Sequence, residues 1–290
     1  MSVRATRRDV LKLGGAAAAS MAAASLLEGT SALAAAKYKA IPIGVQAWCV
    51  RKQLATDIPG TLAQVSQAGF ERLELENAFG KSGAEWKTLL TAANLKAAGF
   101  HHSLPELRGD KLQQTIEFNQ ALGNRNLIIR SLPPAVYTSA DLLKQTADEI
   151  NGFAEKLKPH QLRVGYHNHT TDFNQLDGEY WWNRFADATS KDVVLQFDTG
   201  NASEKEGGVD VVQVLKRNAG RVKSMHIKPF SKKTPDAFIG SDELNWPAIM
   251  TTAETVAGVE LYIIEYERTT AKPPIEDLKA NLDLFKKLRA

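Results

Sequence analysis

The sequence predicts a (β/α)8 barrel, or TIM barrel, formed as one domain by residues 37–290. Short apolar runs alternate with amphipathic segments from Ile41 onward, which is the pattern of a parallel sheet whose strands are joined by helices. Eight such units occupy roughly 250 residues, the usual size of one barrel. Many of the apolar runs also end in polar side chains, which argues against the alternative, an open doubly wound sheet with its site at one switch point.

The predicted strands are short apolar runs bounded by polar or turn-forming residues. They lie at 41–49, 72–76, 96–102, 126–131, 162–168, 193–198, 222–228 and 259–266. Helices are predicted after them at 57–69, 84–94, 106–122, 139–157, 180–188, 209–217, 245–257 and 275–288. The helix limits follow from Pro59 and Pro247 in first turns and from Gly69 and Gly258 just past the ends.

Residues 1–36 are predicted to be a twin-arginine signal peptide that lies outside the barrel. Arg7 and Arg8 belong to a twin-arginine motif, a weakly apolar Gly/Ala-rich run follows at 13–27, and small residues at 32–36 suit signal peptidase. This order predicts cleavage and export to the periplasm. Because the twin-arginine route carries folded proteins, a metal ion would be loaded before export. The alternatives are an N-terminal membrane anchor and a disordered Ala-rich tail.

The charge balance argues against nucleic acid as a partner. The formal net charge is +3, and four cations against two carboxylates in the leader account for +2, which leaves +1 on the barrel. Binding to DNA or to an anionic membrane depends on a clustered basic surface. No stretch after the leader is apolar enough to cross a bilayer, so no stable membrane insertion is expected after cleavage. Self-association into a homo-oligomer is left open.

Two histidines lie at the end of the predicted fifth strand. His167 and His169 are two residues apart, so they share one face of that strand. The next three strands end in Asp198, His226 and Glu265. Four consecutive strand ends of a barrel meet around one point. We therefore predict that His167, Asp198, His226 and Glu265 bind one divalent metal ion.

The chemistry of this ligand set limits the metal. Two imidazoles and two carboxylates form a mixed nitrogen and oxygen site that suits Mn2+, Co2+, Fe2+ or Zn2+. The set has no thiolate, which makes a closed structural zinc less attractive and leaves open positions for substrate oxygens. The alternative is that the four are unrelated polar residues in solvated loops.

Other polar side chains at the strand ends are candidates for substrate contacts or proton transfer. Gln46 lies at the end of the first strand, and Trp48 either stacks on a sugar ring or packs in the barrel wall. Asn201 either contacts substrate hydroxyls or caps the next helix. The remaining candidates are Glu74, Lys228 and Glu267, at the ends of the second, seventh and eighth strands.

Six short segments carry a family resemblance in their order along the chain. They are Gly-Val-Gln at 44–46, Ala-Gly-Phe-Glu-Arg-Leu-Glu-Leu at 68–75, Tyr-His-Asn-His at 166–169, Asp-Thr-Gly-Asn at 198–201, His-Ile-Lys at 226–228 and Ile-Glu at 264–265. Together they resemble the xylose-isomerase-like barrels of sugar (phosphate) isomerases and epimerases. The resemblance implies a divalent metal ion at the same four residues, His167, Asp198, His226 and Glu265, and it favours His101 as a substrate contact.

Two positions depart from the pattern of that family. His167 occupies a position where many members have a glutamate, which in the epimerases shares proton transfer with the residue that matches Glu265. Pro229 follows Lys228 where an aspartate is common. A symmetric mechanism with two carboxylates is therefore not expected.

The resemblance implies chemistry next to the carbonyl of a small carbohydrate or keto-sugar. Glu265 is the first candidate for the base that removes the adjacent C–H proton, and Glu74, His169 and Lys228 are candidates for a second acid or base. An enediolate would give isomerisation or epimerisation, and a β leaving group would lead to elimination. The alternatives are a non-catalytic sugar-binding protein and a metal-dependent endonuclease, which the balanced charge disfavours.

Overall fold

The computed structural model describes residues 41–267 and 274–289. Eight parallel strands close into a barrel, in which consecutive strands are neighbours and the last pairs with the first. The strands are β1 (Ile43–Gln46), β2 (Arg72–Leu75), β3 (Lys96–His102), β4 (Asn126–Ile129), β5 (Arg163–His167), β6 (Val194–Asp198), β7 (Val222–Ile227) and β8 (Leu261–Ile264). The predicted (β/α)8 barrel is confirmed.

Helices connect the strands. They are α1 (Arg51–Thr56), α2 (Ile58–Gln67), α3 (Gly83–Ala92), α4 (Asp110–Leu122), α5 (Ala140–Leu157), α6 (Trp181–Ala188), α7 (Thr199–Ser203), α8 (Val211–Arg217), α9 (Trp246–Thr252) and α10 (Pro274–Leu288). A small antiparallel ribbon, Gln175–Leu176 with Glu179–Tyr180, precedes α6.

An apolar layer between the barrel and its helices holds the fold together. On α5, buried apolar residues recur at helical spacing; among them are Leu143, Ala147, Ile150, Ala154 and Leu157. Outward-facing apolar side chains of the strands, such as Leu73 and Val164, are fully buried beneath the helices, and each large one contributes about 1.5–3 kcal/mol. The inward-facing positions near the carboxyl ends of the strands are therefore free to carry polar side chains.

The chain leaves β1 earlier than the predicted strand 41–49 does. Oε1 of Gln46 accepts a hydrogen bond from the Trp48 backbone N–H at 3.2 Å and caps a 3-10 turn at Ala47–Val50. The unpredicted helix α1 follows, and then Asp57 caps α2 by accepting a hydrogen bond from the Gly60 N–H at 3.0 Å. This early turn brings Trp48 to the mouth of the barrel.

The segments after β6 and β7 also differ from the prediction. The short helix α7 was not predicted, because its sequence, Thr-Gly-Asn-Ala-Ser, has weak helix propensity; in the structure Asp198 caps its first turn. The helix predicted at 245–257 is α9 followed by a π-helical turn at Ala253–Ala257.

The predicted leader at 1–36 lies outside the described residues and stays a prediction. Within residues 41–267 and 274–289, no helix has the length and apolar character needed to span a bilayer.

Candidate active site

A cavity of about 580 Å3 lies at the carboxyl ends of the barrel strands. It is lined by Gln46, Trp48, Glu76, Asn77, His101, Arg130, Ser131, His167, His169, Asn201, Lys228, Glu265 and Glu267. Nine of the twelve predicted site residues are in this lining. The other three, Glu74, Asp198 and His226, are fully buried behind it.

His226 connects the predicted metal ligands. Its Nδ1 lies 2.6 Å from Oε2 of Glu265 and 3.6 Å from Oδ2 of Asp198. One potential ligand atom from each of these three residues lies within 4.8 Å of the others. This spacing suits donors that share one ion.

The carboxylate of Asp198 provides a test of whether a metal ion fits. Its Oδ1 accepts a hydrogen bond from the Asn201 N–H at 2.7 Å and caps α7, whereas its Oδ2 is buried with no hydrogen-bond partner in the described part of the chain. A buried oxygen without a partner is unfavourable, and a cation beside it would remove that penalty. The residues present therefore fit a divalent ion with oxygen and nitrogen ligands.

His167 belongs to a second group, with His101 and His226. One ring nitrogen from each of these three residues lies within 4.8 Å of the others. The ring centroids of His167 and His226 are 4.5 Å apart. Because His226 is common to both groups, His167 approaches the three predicted ligands from the β5 side, and His101 offers a further imidazole nearby.

Gln196 orients two of these rings, although it was not predicted as a site residue. Its Nε2 donates a hydrogen bond to Oε1 of Glu74 at 2.8 Å, which requires its Oε1 to face the histidines. That oxygen lies 2.9 Å from Nε2 of His101 and 3.0 Å from Nδ1 of His167. An amide oxygen only accepts, so both ring nitrogens carry a proton.

The bond to Gln196 leaves the other nitrogen of each ring with a lone pair when the ring is neutral. Nε2 of His167 lies 3.4 Å from Nδ2 of Asn201, which is a donor and is consistent with that tautomer. Inward-facing positions alternate along β6. Gln196 lies two positions before Asp198 and so faces the barrel interior as well. A polar residue at that position is the sequence pattern that would have indicated it.

Glu74 lies behind the histidines and accepts hydrogen bonds from several donors. Its Oε2 accepts hydrogen bonds from Nε2 of Gln46 at 2.8 Å and Nε2 of His226 at 2.7 Å, and it lies 3.0 Å from Nε2 of His101. Gly99 makes room for it, since a Cβ there would lie 2.5 Å from Oε1 of Glu74. This placement suits Glu74 for orienting His101 and His226.

The buried charges of the site compensate one another. Burial raises the pKa of Glu74, but the charges of His101 and His226 outweigh it and lower the pKa to about 2. Burial lowers the pKa of His226, but the charge of Glu74 and hydrogen bonds to Glu265 and Glu74 raise it to about 10. Burial raises the pKa of Asp198 to about 7, against the charge of Lys228.

Lys228 and Glu265 form an ion pair at the cavity wall. Nζ of Lys228 lies 3.0 Å from Oε1 of Glu265, 3.1 Å from Oε1 of Glu267 and 3.1 Å from Oδ1 of Asn201. Burial raises the pKa of Glu265, but the charge of Lys228 and the hydrogen bond to His226 hold it well below its usual range. The Lys228 pKa is lowered by burial but raised overall by the neighbouring carboxylates, Glu265 foremost. Both groups are charged at neutral pH.

Lys228 is held in place by the start of α7. A Cβ at Gly200 would lie 2.6 Å from Cγ of Lys228, so only glycine leaves space for this side chain. Thr199 accepts a hydrogen bond at Oγ1 from the Lys228 backbone N–H at 3.0 Å. The Asp-Thr-Gly-Asn segment thus positions both a carboxylate and a lysine.

Trp48 lies at the rim of the cavity and is 39% exposed. Its Nε1 donates a hydrogen bond to Oε2 of Glu267 at 2.6 Å. The guanidinium of Arg51 stacks 3.8 Å from the ring centroid. One ring face is therefore covered by Arg51, and the proposed stacking of a sugar on Trp48 stays a prediction.

A buried network fixes the backbone at His169. Its N–H donates to Oδ2 of Asp172 at 2.7 Å, and Oδ1 of the same carboxyl group accepts from the Tyr166 hydroxyl at 2.6 Å. Burial raises the pKa of Asp172 to about 7. Burial also lowers the pKa of His169 to about 4, so its ring is neutral at pH 7.

The fold and the site together define a class: a closed parallel barrel with imidazoles and carboxylates gathered at the carboxyl ends of its strands. The profile of the xylose isomerase-like TIM barrel family matches residues 62–288. The chain belongs to this family.

Several solved structures share the fold. A sugar phosphate isomerase/epimerase from Parabacteroides distasonis ATCC 8503 has 21% identity and a TM-score of 0.73, over 86% of this chain and 96% of that one. A D-allulose 3-epimerase from Methylomonas sp. in complex with D-allulose has 15% identity and a TM-score of 0.65, over 86% and 97%. A family 2 AP endonuclease from Brucella melitensis has 16% identity and a TM-score of 0.62, over 86% and 99%. No curated protein matches the chain.

Proposed function

We propose that this protein is a metal-dependent sugar isomerase or epimerase, or a lyase with the same first step, acting next to the carbonyl of a small carbohydrate or keto-sugar. The observation that carries the proposal is the carboxylate of Glu265. It is kept ionised by Lys228, lies beside His226 and Asp198, and faces a cavity of about 580 Å3. A carboxylate that is ionised at neutral pH and faces the cavity can accept a proton from carbon.

Asp198, His226 and Glu265 would hold the metal ion, with His167 as the fourth ligand. The bound ion would act as a Lewis acid that polarises a carbonyl or hydroxyl oxygen. Mn2+, Co2+, Fe2+ and Zn2+ all suit these ligands. Oδ2 of Asp198, which has no hydrogen-bond partner among the described residues, supports the assignment.

In this proposal, Glu265 takes the proton from the carbon next to the carbonyl. Lys228, which stays cationic and reaches the cavity, balances the negative charge of the resulting enediolate. Return of the proton to the neighbouring carbon gives isomerisation, and return to the other face gives epimerisation. Loss of a β substituent gives elimination.

His169 is the favoured second proton-transfer group. It lines the same cavity and is neutral at pH 7, so it can accept a proton. Glu74 is fully buried and its oxygens already accept several hydrogen bonds, so we assign it an orienting role. The proposed substrate contacts are Gln46, Trp48, His101, Asn201 and Glu267.

The charges at the mouth support a neutral substrate over a polyanion. Three carboxylates, Glu76, Glu265 and Glu267, line the cavity together with two cations, Arg130 and Lys228. DNA binding needs an excess of basic side chains. An endonuclease is therefore the less favoured function, although one solved structure with this fold is described as an AP endonuclease.

We also propose export through the twin-arginine route to the periplasm. The support is the order of paired arginines, apolar run and small residues in 1–36. Replacing both Arg7 and Arg8 by Lys should leave the protein in the cytoplasm.

Deuterium uptake tests the proposed reaction. The protein is incubated with Mn2+ in D2O and a panel of keto-sugars and glycosides, and exchange of substrate C–H protons is followed by NMR. Glu265→Gln should lower the exchange rate about 10²–10⁴-fold, because it removes the base. The matched control is Glu117→Gln, on the exposed face of α4, where Gln113 can still donate to the remaining oxygen.

Exchange that survives Glu265→Gln would contradict the role of this carboxylate. Binding of a sugar without any exchange would instead favour the non-catalytic sugar-binding protein.

A further inference from the structure

A second cavity, of about 310 Å3, lies at the opposite end of the barrel, where the strands begin. Its lining includes the first residues of β2 and β5, Arg72 and Arg163. Arg72 shares a strand face with Glu74, and Arg163 shares one with His167, so both arginines point to the barrel interior. Barrel interiors are usually filled by branched apolar side chains. This end of the barrel is therefore unusually basic.

The charge around the cavity is strongly unbalanced. Arg72, Arg125, Arg163 and Lys223 line it, and Glu260 is the one carboxylate in that lining. Glu260 accepts a hydrogen bond from NH1 of Arg163 at 3.0 Å and lies 3.5 Å from Nζ of Lys223. The lining thus carries a formal charge of +3 around one small space. Like charges gathered around one small cavity repel one another, and an anion between them relieves that repulsion.

The side chain of Asn126 holds Arg163 in place, whereas Arg72 keeps free donors. Oδ1 of Asn126 accepts hydrogen bonds from Nε and NH2 of Arg163, at 3.2 and 3.0 Å. NH1 of Arg72 makes a long contact, 3.4 Å, to the Ala97 carbonyl oxygen, which leaves most of its donors for other partners. Ala98 lines the cavity and belongs to a buried apolar cluster with Leu261 and Ile263.

We propose that this cavity binds a small tetrahedral oxyanion such as phosphate or sulfate. Guanidinium groups present paired N–H donors that match the oxygens of such ions. A space of about 310 Å3 holds the ion together with bridging water. The site is at the amino-terminal end of the strands, where barrels carry stabilising features, so the anion would stabilise the fold and would take no part in the reaction.

Titration with inorganic phosphate tests the site. Phosphate is titrated calorimetrically into the full chain at an ionic strength fixed with NaCl, and the thermal midpoint is followed in parallel. The wild type should bind one phosphate and should show a rising midpoint with phosphate concentration. Arg125→Gln and Arg72→Gln should each raise the dissociation constant for phosphate about tenfold or more. Arg125 is exposed, so its replacement tests the site even if Arg72→Gln does not fold.

Two further variants distinguish this cavity from the protein surface and from the mouth of the barrel. Arg108→Gln removes an exposed arginine that pairs with Glu149 away from the cavity, and phosphate binding should be unchanged. Lys228→Met removes the cation at the mouth, and binding should again be unchanged. Loss of phosphate binding in Lys228→Met but not in Arg125→Gln would overturn the proposal. So would a wild-type isotherm that does not saturate. A loss of binding in Arg108→Gln as large as that in Arg125→Gln would overturn it as well.

Discussion

At the scale of single residues, Gln196 determines how two histidines present themselves to the cavity. Its amide is forced into one orientation by the carboxylate of Glu74, so His101 and His167 both donate to its oxygen. Histidines that bind metals commonly donate their second N–H to such an acceptor, which fixes the tautomer and the ring orientation. In the proposed metal site, Gln196 would therefore leave Nε2 of His167 with the lone pair that a metal ion needs.

Replacing Gln196 by Met should weaken metal binding while keeping the volume of the side chain. The expected loss in Mn2+ affinity is about 10–100-fold, because the rings lose the acceptor that holds them. Isothermal titration with Mn2+ measures it, and Gln213→Met, on the exposed face of α8, is the matched control. An unchanged dissociation constant in Gln196→Met would show that the amide does not orient the ligands.

The sequence could predict that the four proposed metal ligands approach one another, because each lies within one residue of the end of a strand and topology alone brings such ends together. Gln196 lies two residues before the end of β6 and would follow only from the alternation of inward-facing positions along that strand, and the burial of Glu74 could not be found from the strand ends. Both lie at register shifts, between β6 and β7 at Leu195/Gln196 and between β2 and β3 at Leu73/Glu74. Such shifts change which side chains meet inside the barrel, and they depend on three-dimensional packing.

At the scale of secondary structure, the strands and helices of the site depend on glycines that leave room for long side chains. Gly99 on β3 gives space to Glu74, and Gly200 on α7 gives space to Lys228. Neither position has a left-handed backbone, so their requirement for glycine comes from packing alone. Each links a strand or helix to one polar group of the site.

Gly99→Ala should destabilise the protein by about 1–3 kcal/mol, because the added Cβ forces Glu74 out of its place. The change in the free energy of unfolding is measured by urea denaturation. Gly152→Ala on α5 is the matched control, since a Cβ there meets nothing within 4 Å, and it should be neutral or stabilise by up to about 1 kcal/mol. Equal effects of the two substitutions would contradict the packing argument.

Short helices were the least predictable elements. The 3-10 turn that precedes α1, and the helix α7, form because Gln46 and Asp198 turn the chain at the ends of strands through side-chain hydrogen bonds. The long amphipathic helices, such as α5, were predicted closely because their apolar spacing is a strong signal. Local caps that depend on a neighbouring strand end leave no comparable pattern in the sequence.

At the scale of the whole molecule, the barrel has two charged ends with different character. The carboxyl ends of the strands gather imidazoles, carboxylates and one lysine around the candidate active site. The amino ends gather arginines around a separate cavity. The apolar layer between sheet and helices fixes both ends in one closed barrel.

Metal binding should release protons and therefore strengthen as the pH rises. The pKa of His226 is raised to about 10, so at neutral pH its ring must lose a proton before it can bind a metal ion. Below pH 7, Asp198, whose pKa is about 7, is also protonated and must release a second proton when the metal ion binds. The apparent affinity for Mn2+ should rise about tenfold per pH unit from pH 7 to pH 8.5 and more steeply from pH 6 to pH 7.

Calorimetry in two buffers with different ionisation enthalpies counts the released protons. About one proton per ion at pH 8 is expected, and the release should disappear with His226→Ala. Affinity that does not change with pH would show that His226 is not protonated in the unliganded protein.

The most direct measurement for the central claim is an anomalous difference map from a crystal of the protein grown with Mn2+. One strong peak should lie within about 2.0–2.6 Å of ligand atoms of Asp198, His226 and Glu265, the range of metal–ligand bonds. A map with no peak at the carboxyl ends of the strands, or with its peak away from these three residues, would contradict it.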